Sequence, residues 1–286
     1  MPFVLVQGTF RILNKSPDGD SLKFKAKKKS NWNKLSGRKV KLTKKNEVQL
    51  RFEAIDALET HYRVGSAGNT LNLHQPSTLA DAATDEMLKL AGFKSVQWGP
   101  TRGRVVGVAK DGLEGYILSR EAERFGRPVS FVYFGKPPEA DGSQVFLDAA
   151  RLRQSINYKL LKAGLVYPTY YEGLFADLRA AMTATAQDAR NAKRGIWDKD
   201  KTSAGFKVTG LKSITEDNVI LPKLFRRLAA YIHEVGKPLS QFTDHLANNP
   251  ERVLVLPQGH FTHLDDVIEV KAGTVKMTVA PENLVF

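Results

Sequence analysis

The stretch Val48 to Thr60, V-Q-L-R-F-E-A-I-D-A-L-E-T, restricts what this chain can fold into more than any other. Val48, Leu50, Phe52 and Ala54 alternate with Gln49, Arg51 and Glu53, the period of two that belongs to a strand with one face buried and one wet. The alternation breaks at Ile55-Asp56, where the chain is expected to turn. An arginine, an aspartate and a glutamate then stand at one strand end. Arg51 could grip two phosphate oxygens and Asp56 could hold a divalent cation, while Glu59 offers a second carboxylate three residues on. Together these are a minimal kit for phosphodiester chemistry. They would also make a surface salt-bridge cluster, and on this stretch alone that plainer reading is preferred.

Charge distribution bears on which reading holds. The formal charge is +13, and residues 206–286 carry nine Lys/Arg against nine Asp/Glu, so the whole excess lies in the first 205 residues. A basic part joined to a neutral one points the first toward a polyanion, either nucleic acid or an anionic membrane face. No run approaches the roughly 18 apolar residues of a membrane span. The N-terminus, Met1-Pro2-Phe3-Val4-Leu5-Val6-Gln7, has no basic region before its apolar residues, so a cytoplasmic protein without a membrane partner is expected. Zero cysteines exclude disulfides, thiolate metal sites and cysteine nucleophiles.

In chain order, Thr9 to Leu13 and Ser21 to Ala26 read as strands joined by a Pro-Asp-Gly turn that leaves Asp20 at the start of the second. Leu22, Phe24 and Ala26 alternate there with Lys23, Lys25 and Lys27, giving a basic face. A lysine-rich insertion follows, with Trp32 as a stacking platform or a loop anchor. His61 to Gln75 reads as a loop, and Pro76-Ser77 opens a helix ending near Gly92. Strands are expected at Val96 to Trp98, Gly103 to Val108, Leu113 to Leu118 and Pro128 to Phe134, with Arg127 entering the last from the turn Phe125-Gly126-Arg127. Helices from Ala150 to Lys162 and from about Leu174 to Lys193 close this part, a pattern that suggests a barrel capped by helices. Lys199 to Gly205 reads as a linker. Beyond it, helices around Leu221 to Val235 and Ser240 to Ala247, a strand Val253 to Leu256 and a hairpin through Ala272-Gly273 make a small α+β unit. Arg226, Arg227 and His233 are read as the solvated face of the first of these helices.

Asp20, Arg51, Asp56, Glu59 and Arg127 can be taken together. Asp20 and Asp56 each lie at a strand boundary beside a turn, so two carboxylates could converge on one hard cation such as calcium. Glu59 would orient or deprotonate the attacking water, and the two arginines would stabilise the charge that builds on phosphorus. His260 and His263 with Asp265 and Asp266 could also hold a metal, although they sit outside a clear helix, which weighs against it.

Residues 1 to about 200 resemble the staphylococcal nuclease, or thermonuclease, family. Asp18-Gly19-Asp20-Ser21 is similar to its Asp-Gly-Asp-Thr entry, and Arg51 to Glu59-Thr60 to its Arg...Asp-Thr-Pro-Glu-Thr segment with the same spacing. Phe125-Gly126-Arg127 is similar to its Tyr-Gly-Arg turn, and Asn157 to Leu165 and Lys193 to Trp197 to its later helices and closing tryptophan. The resemblance implies an α+β fold, a five-stranded OB-type β-barrel with three helices, here followed by a small α+β C-terminal domain over 206–286. It also implies calcium-dependent cleavage of DNA and RNA. Asp20, Asp56 and the backbone carbonyl of Ala57 would bind calcium, Glu59 would be the general base, and Arg51 and Arg127 the phosphate clamps. Lys23, Lys25, Arg124, Phe125 and Tyr170 would line the nucleic acid. Ala57-Leu58 and Phe125 depart from the family pattern. A second hypothesis is a barrel that binds nucleic acid without cutting it. A third is a nuclease subunit whose C-terminal domain docks a protein partner or a second copy.

Overall fold

A computed structural model describes residues 2–256 and 258–286. It is a mixed α+β fold whose packing divides the chain into two compact units. One is Met1–Glu53 with Thr84–Leu160, and the other is Ala54–Ala83 with Leu161–Phe286. This division differs from the boundary expected at 200–206.

The first unit holds a nearly closed, barrel-like sheet. Its principal strands are β1 (Phe3–Arg11), β2 (Lys23–Ala26), β3 (Val48–Gln49), β4 (Arg51–Phe52), β5 (Leu113–Ala122) and β6 (Pro128–Phe134). They hydrogen-bond in the order β3-β2-β1-β5-β6-β4. The two ends of that path are consecutive in sequence, separated only by Leu50. Leu50 N–H donates to the Leu22 carbonyl and Phe52 N–H to the Asp20 carbonyl, both at 2.9 Å, while Arg51 and Phe52 pair with Val129 and Ser130. The alternating stretch therefore closes the sheet on itself, with Val48, Leu50 and Phe52 buried inside.

Its end comes earlier than the pattern suggests. The turn is at Glu53-Ala54, with Ala54 at φ 67°, and Ile55–Ala57 is a strand of the second unit. A left-handed alanine costs about 1–2 kcal/mol relative to the right-handed region. Buried Asn157 holds this exit in place: its amide nitrogen donates to the Glu53 carbonyl at 2.9 Å and the Ser130 carbonyl at 3.0 Å, and its oxygen accepts from Val132 N–H at 3.0 Å. The expected Ala150 to Lys162 helix is two helices, Ala149–Leu152 and Ile156–Lys162, because the Ser155 hydroxyl donates to the Leu152 carbonyl and accepts from Tyr158 N–H, ending one and capping the next. Trp32 is the loop anchor, buried with its ring edge-on to Phe24.

In the second unit the expected loop His61 to Gln75 is instead a hairpin, Tyr62–Ser66 against Asn69–Leu73, turning at Gly68. Ile55–Ala57 pairs with Val166–Pro168. One apolar core joins Leu58, Tyr167, Trp197, Phe206, Leu224, Phe225, Leu228 and Phe242. The segment read as a linker is packed into it: Thr202 is fully buried, its hydroxyl donating to Asp200 and accepting from Leu221 N–H. The helix Pro222–Ala230 continues as a wider turn over Tyr231–Val235, and the expected C-terminal hairpin is present as Ile268–Lys271 with Thr274–Met277.

Arg227 is not simply solvated, since it bonds Glu251 at 2.6 Å, and Lys223 bonds the same carboxylate at 2.6 Å. Burial alone would raise the Glu251 carboxyl, but Lys223 and then Arg227 hold it below its ordinary value of 4.5. A folded-state value lower than the unfolded one means stabilisation that is fully present above about pH 4.5 and lost as pH falls through the folded value. Melting temperature should therefore fall on acidification below that point, and Glu251→Gln should flatten the fall. An unchanged acid limb in the variant would show that other groups set it.

Candidate functional site

The expected site residues fall in both units, and each set has its own geometry. In the first unit, sheet closure organises Asp20, Arg51 and Arg127. Asp20 is not at a strand start but in a tight turn, where Asp18 and Ser21 exchange backbone hydrogen bonds and Gly19 N–H donates to the Asp18 carboxylate at 2.8 Å. The Asp20 carbonyl is the partner of the residue that follows Arg51. On the other side Arg51 lies opposite Val129, two residues past Arg127. Arg127 leaves a turn at Gly126, whose φ of 77° and closeness to the Lys39 carbonyl, 2.7 Å from where a Cβ would stand, require glycine. Its Nε donates to Glu123 at 3.0 Å, which fixes the direction of the side chain.

Phe125 projects from this turn 59% exposed, with the guanidinium carbons of Arg124 and Arg127 at 4.7 and 5.9 Å from its ring centre. An exposed ring flanked by two guanidiniums offers a stacking face and phosphate partners together. Lys23 is half-buried; burial, then its neighbour Lys15, lowers its pKa. Lys25 is exposed and lines two adjoining clefts. One, of ≈ 460 Å³, also has Arg11, Lys15 and Lys45 in its wall, and the other, of ≈ 670 Å³, has Arg11, Lys27 and Lys136. Asp111 and Glu47 answer Arg11 and Lys15, at 3.5 and 2.8 Å. Lys25, Lys27, Lys45 and Lys136 have no ion-pair partner among the described residues, so the clefts keep a positive excess.

In the second unit Asp56 sits on the Ile55–Ala57 strand opposite Tyr167, and Ala57 opposite Val166. Glu59 follows and is fastened by its backbone: its N–H donates to the Gln75 side chain at 3.2 Å and its carbonyl accepts from Gln75 N–H at 2.8 Å. Fully buried Gln75 donates in turn to the Ile220 carbonyl at 2.8 Å, just before the helix Pro222–Ala230. That bracket sets the helix against both carboxylates. Arg226 donates to both oxygens of Asp56, at 2.7 and 3.2 Å, and to Glu59 at 2.5 Å. The side chains of Asp56, Glu59 and Arg226 are 7%, 14% and 27% exposed. Burial works against the Arg226 charge, but Asp56 and then Glu59 overcome it and hold its pKa well above its ordinary value.

Arg226 is thus the residue that sequence reasoning misplaced on a solvated face. Its helix does carry a polar side, but only the fold brings that side to residues some 170 positions earlier. Gln75, lost in the supposed loop, gave no signal. Tyr170 is fully buried, its hydroxyl accepting from Thr183 at 3.0 Å, and packs the core rather than offering a ring to a base. His260 and His263 are on an exposed strand, where Asp266 accepts from Thr262 and from His263 N–H.

Among the described residues no group of three or more His, Asp or Glu is placed to hold a metal ion. Asp56, an expected calcium ligand, has both oxygens committed to a guanidinium. As arranged, this donor set does not fit a divalent cation. Compared with models of protein families and with curated proteins, the chain matches none.

Proposed function

We propose that this protein is a nuclease, hydrolysing phosphodiester bonds of DNA or RNA from an OB-type barrel. Arg51 and Arg127 hold the phosphate and stabilise the charge that builds on it during attack, and the sequence spacing from Arg51 to Glu59 names Glu59 as the base to be tested for the attacking water. Lys23, Lys25, Arg124 and Phe125 engage the strand on either side. The observation that carries this reading is that the closing strand and a glycine turn bring the Asp20 turn, Arg51 and Arg127 onto neighbouring stretches of backbone, with exposed Phe125 beside Arg127. The expected calcium cofactor is kept as a variable of the test, and no step depends on it.

A second reading, a nucleic-acid-binding barrel that does not cut, is favoured by the engagement of Asp56 and Glu59 with Arg226. Digestion of single-stranded DNA, duplex DNA and RNA in calcium, magnesium or EDTA, with Glu59→Ala in parallel, separates the two. Cleavage by the wild type that disappears in Glu59→Ala is the expected result. Tight binding with every substrate left intact would sink the enzyme and leave the binding module. In either case affinity should fall steeply with added salt, because phosphate contacts release counterions.

A further inference from the structure

The cluster of Asp56, Glu59 and Arg226 is built as a closed unit. Asp56 presents both oxygens to the two terminal nitrogens of Arg226 in a fork, and one of those nitrogens also reaches Glu59. The backbone of Glu59 is locked by Gln75, which is itself tied through Ile220 to the segment just before the Arg226 helix. Tyr62, also near Arg226, packs its ring against Phe225, the residue before Arg226. A planar, permanently charged guanidinium bound in this way satisfies carboxylate lone pairs by directed hydrogen bonds, which a point charge does not. Taking both partners out of water makes the attraction stronger and makes separation costly.

We infer that the Arg226 guanidinium is the resident cation of this carboxylate pair, so that Asp56 and Glu59 do not take up calcium while it is present. Arg226 is then a positioning residue: it neutralises Asp56 and fixes the direction of Glu59. A cation supplied by the chain would also make hydrolysis insensitive to chelators, a corollary that rests on the nuclease reading, whereas the cation assignment itself does not.

Calorimetric titration of the full chain with calcium chloride, without substrate, tests the assignment. Wild type should show no saturable uptake at about 1 mM, the weak end of protein calcium sites. Arg226→Gln, which keeps hydrogen-bonding capacity but removes the charge, should gain calcium affinity by at least about tenfold, and its melting temperature should rise with added calcium. Arg226→Lys, which keeps the charge, should gain none. A folded Arg226→Gln that takes up no more calcium than wild type would overturn the inference. So would wild-type uptake that Asp56→Asn abolishes, and this comparison decides the matter even if Arg226→Gln does not fold. Loss of the nuclease reading would appear separately, as intact substrate in every buffer, and leaves the titration untouched.

Discussion

Arg51→Ala is expected to lower phosphodiester turnover by about 10²–10³-fold, equivalent to about 3–4 kcal/mol of transition-state stabilisation, the usual effect of removing one preorganised donor to a developing oxyanion. The fold should tolerate the change. The closing strand is held by the backbone bonds of Arg51 and Phe52 to Val129, Ser130 and Asp20 and by the burial of Leu50 and Phe52, none of which needs the guanidinium. The measurement is kcat/KM beside a thermal melt. Wild-type turnover in a folded Arg51→Ala variant would refute the clamp. Arg127→Ala should lose a similar factor, but its interpretation needs a control, because removing Arg127 deprives Glu123 of its partner. Glu123→Gln supplies it: a clamp role for Arg127 predicts that this variant keeps most of the activity, while a purely structural role predicts that both variants fall together.

Arg226→Met should destabilise the protein by about 3 kcal/mol, since it strands two mostly buried carboxylates. The figure belongs at the lower end for broken buried pairs because Arg226 is about a quarter exposed. The triple variant Asp56→Asn, Glu59→Gln, Arg226→Met removes every charge of the cluster and should recover most of that loss, because what costs stability is the unpaired charge and not the missing bridge. Urea denaturation of the wild type, the single variant and the triple variant measures both quantities. A single variant as stable as wild type would show that the cluster is solvated and its bonds worth little.

The sheet was legible where burial leaves a periodic mark. The alternation of β2 and of Val48 to Phe52 is written in apolar spacing, the β6 bounds Pro128–Phe134 in a short continuous buried run, and the turn before Arg127 in its glycine. What was not legible depends on partners far away in sequence. The hairpin Tyr62–Ser66 with Asn69–Leu73 has few buried side chains, so its pattern is polar and resembles a loop. The turn at Ala54 uses a left-handed alanine, which no residue preference announces. Lys199 to Gly205 has the composition of a linker, but the Thr202 hydroxyl donates to Asp200 and accepts from Leu221 N–H, so polar residues serve as internal fasteners. The same limit applies to the site. Arg51, Asp56 and Glu59 could be picked out by spacing, whereas Arg226 lies on a helix far along the chain and becomes visible only when Gln75 and Ile220 are seen to join.

Sheet closure at Leu50 has a consequence for how the chain is made. Until β6 emerges, the outer edge of Arg51–Phe52 has no neighbour, because its partners Val129 and Ser130 come nearly eighty residues later. A nascent or truncated chain ending before Pro128 therefore carries an open hem of unpaired backbone flanked by Val48, Leu50 and Phe52, the sort of edge that recruits other strands. Arrival of β6 seams the hem shut, so the strand that completes the pairing of Arg51–Phe52 also removes an edge open to aggregation.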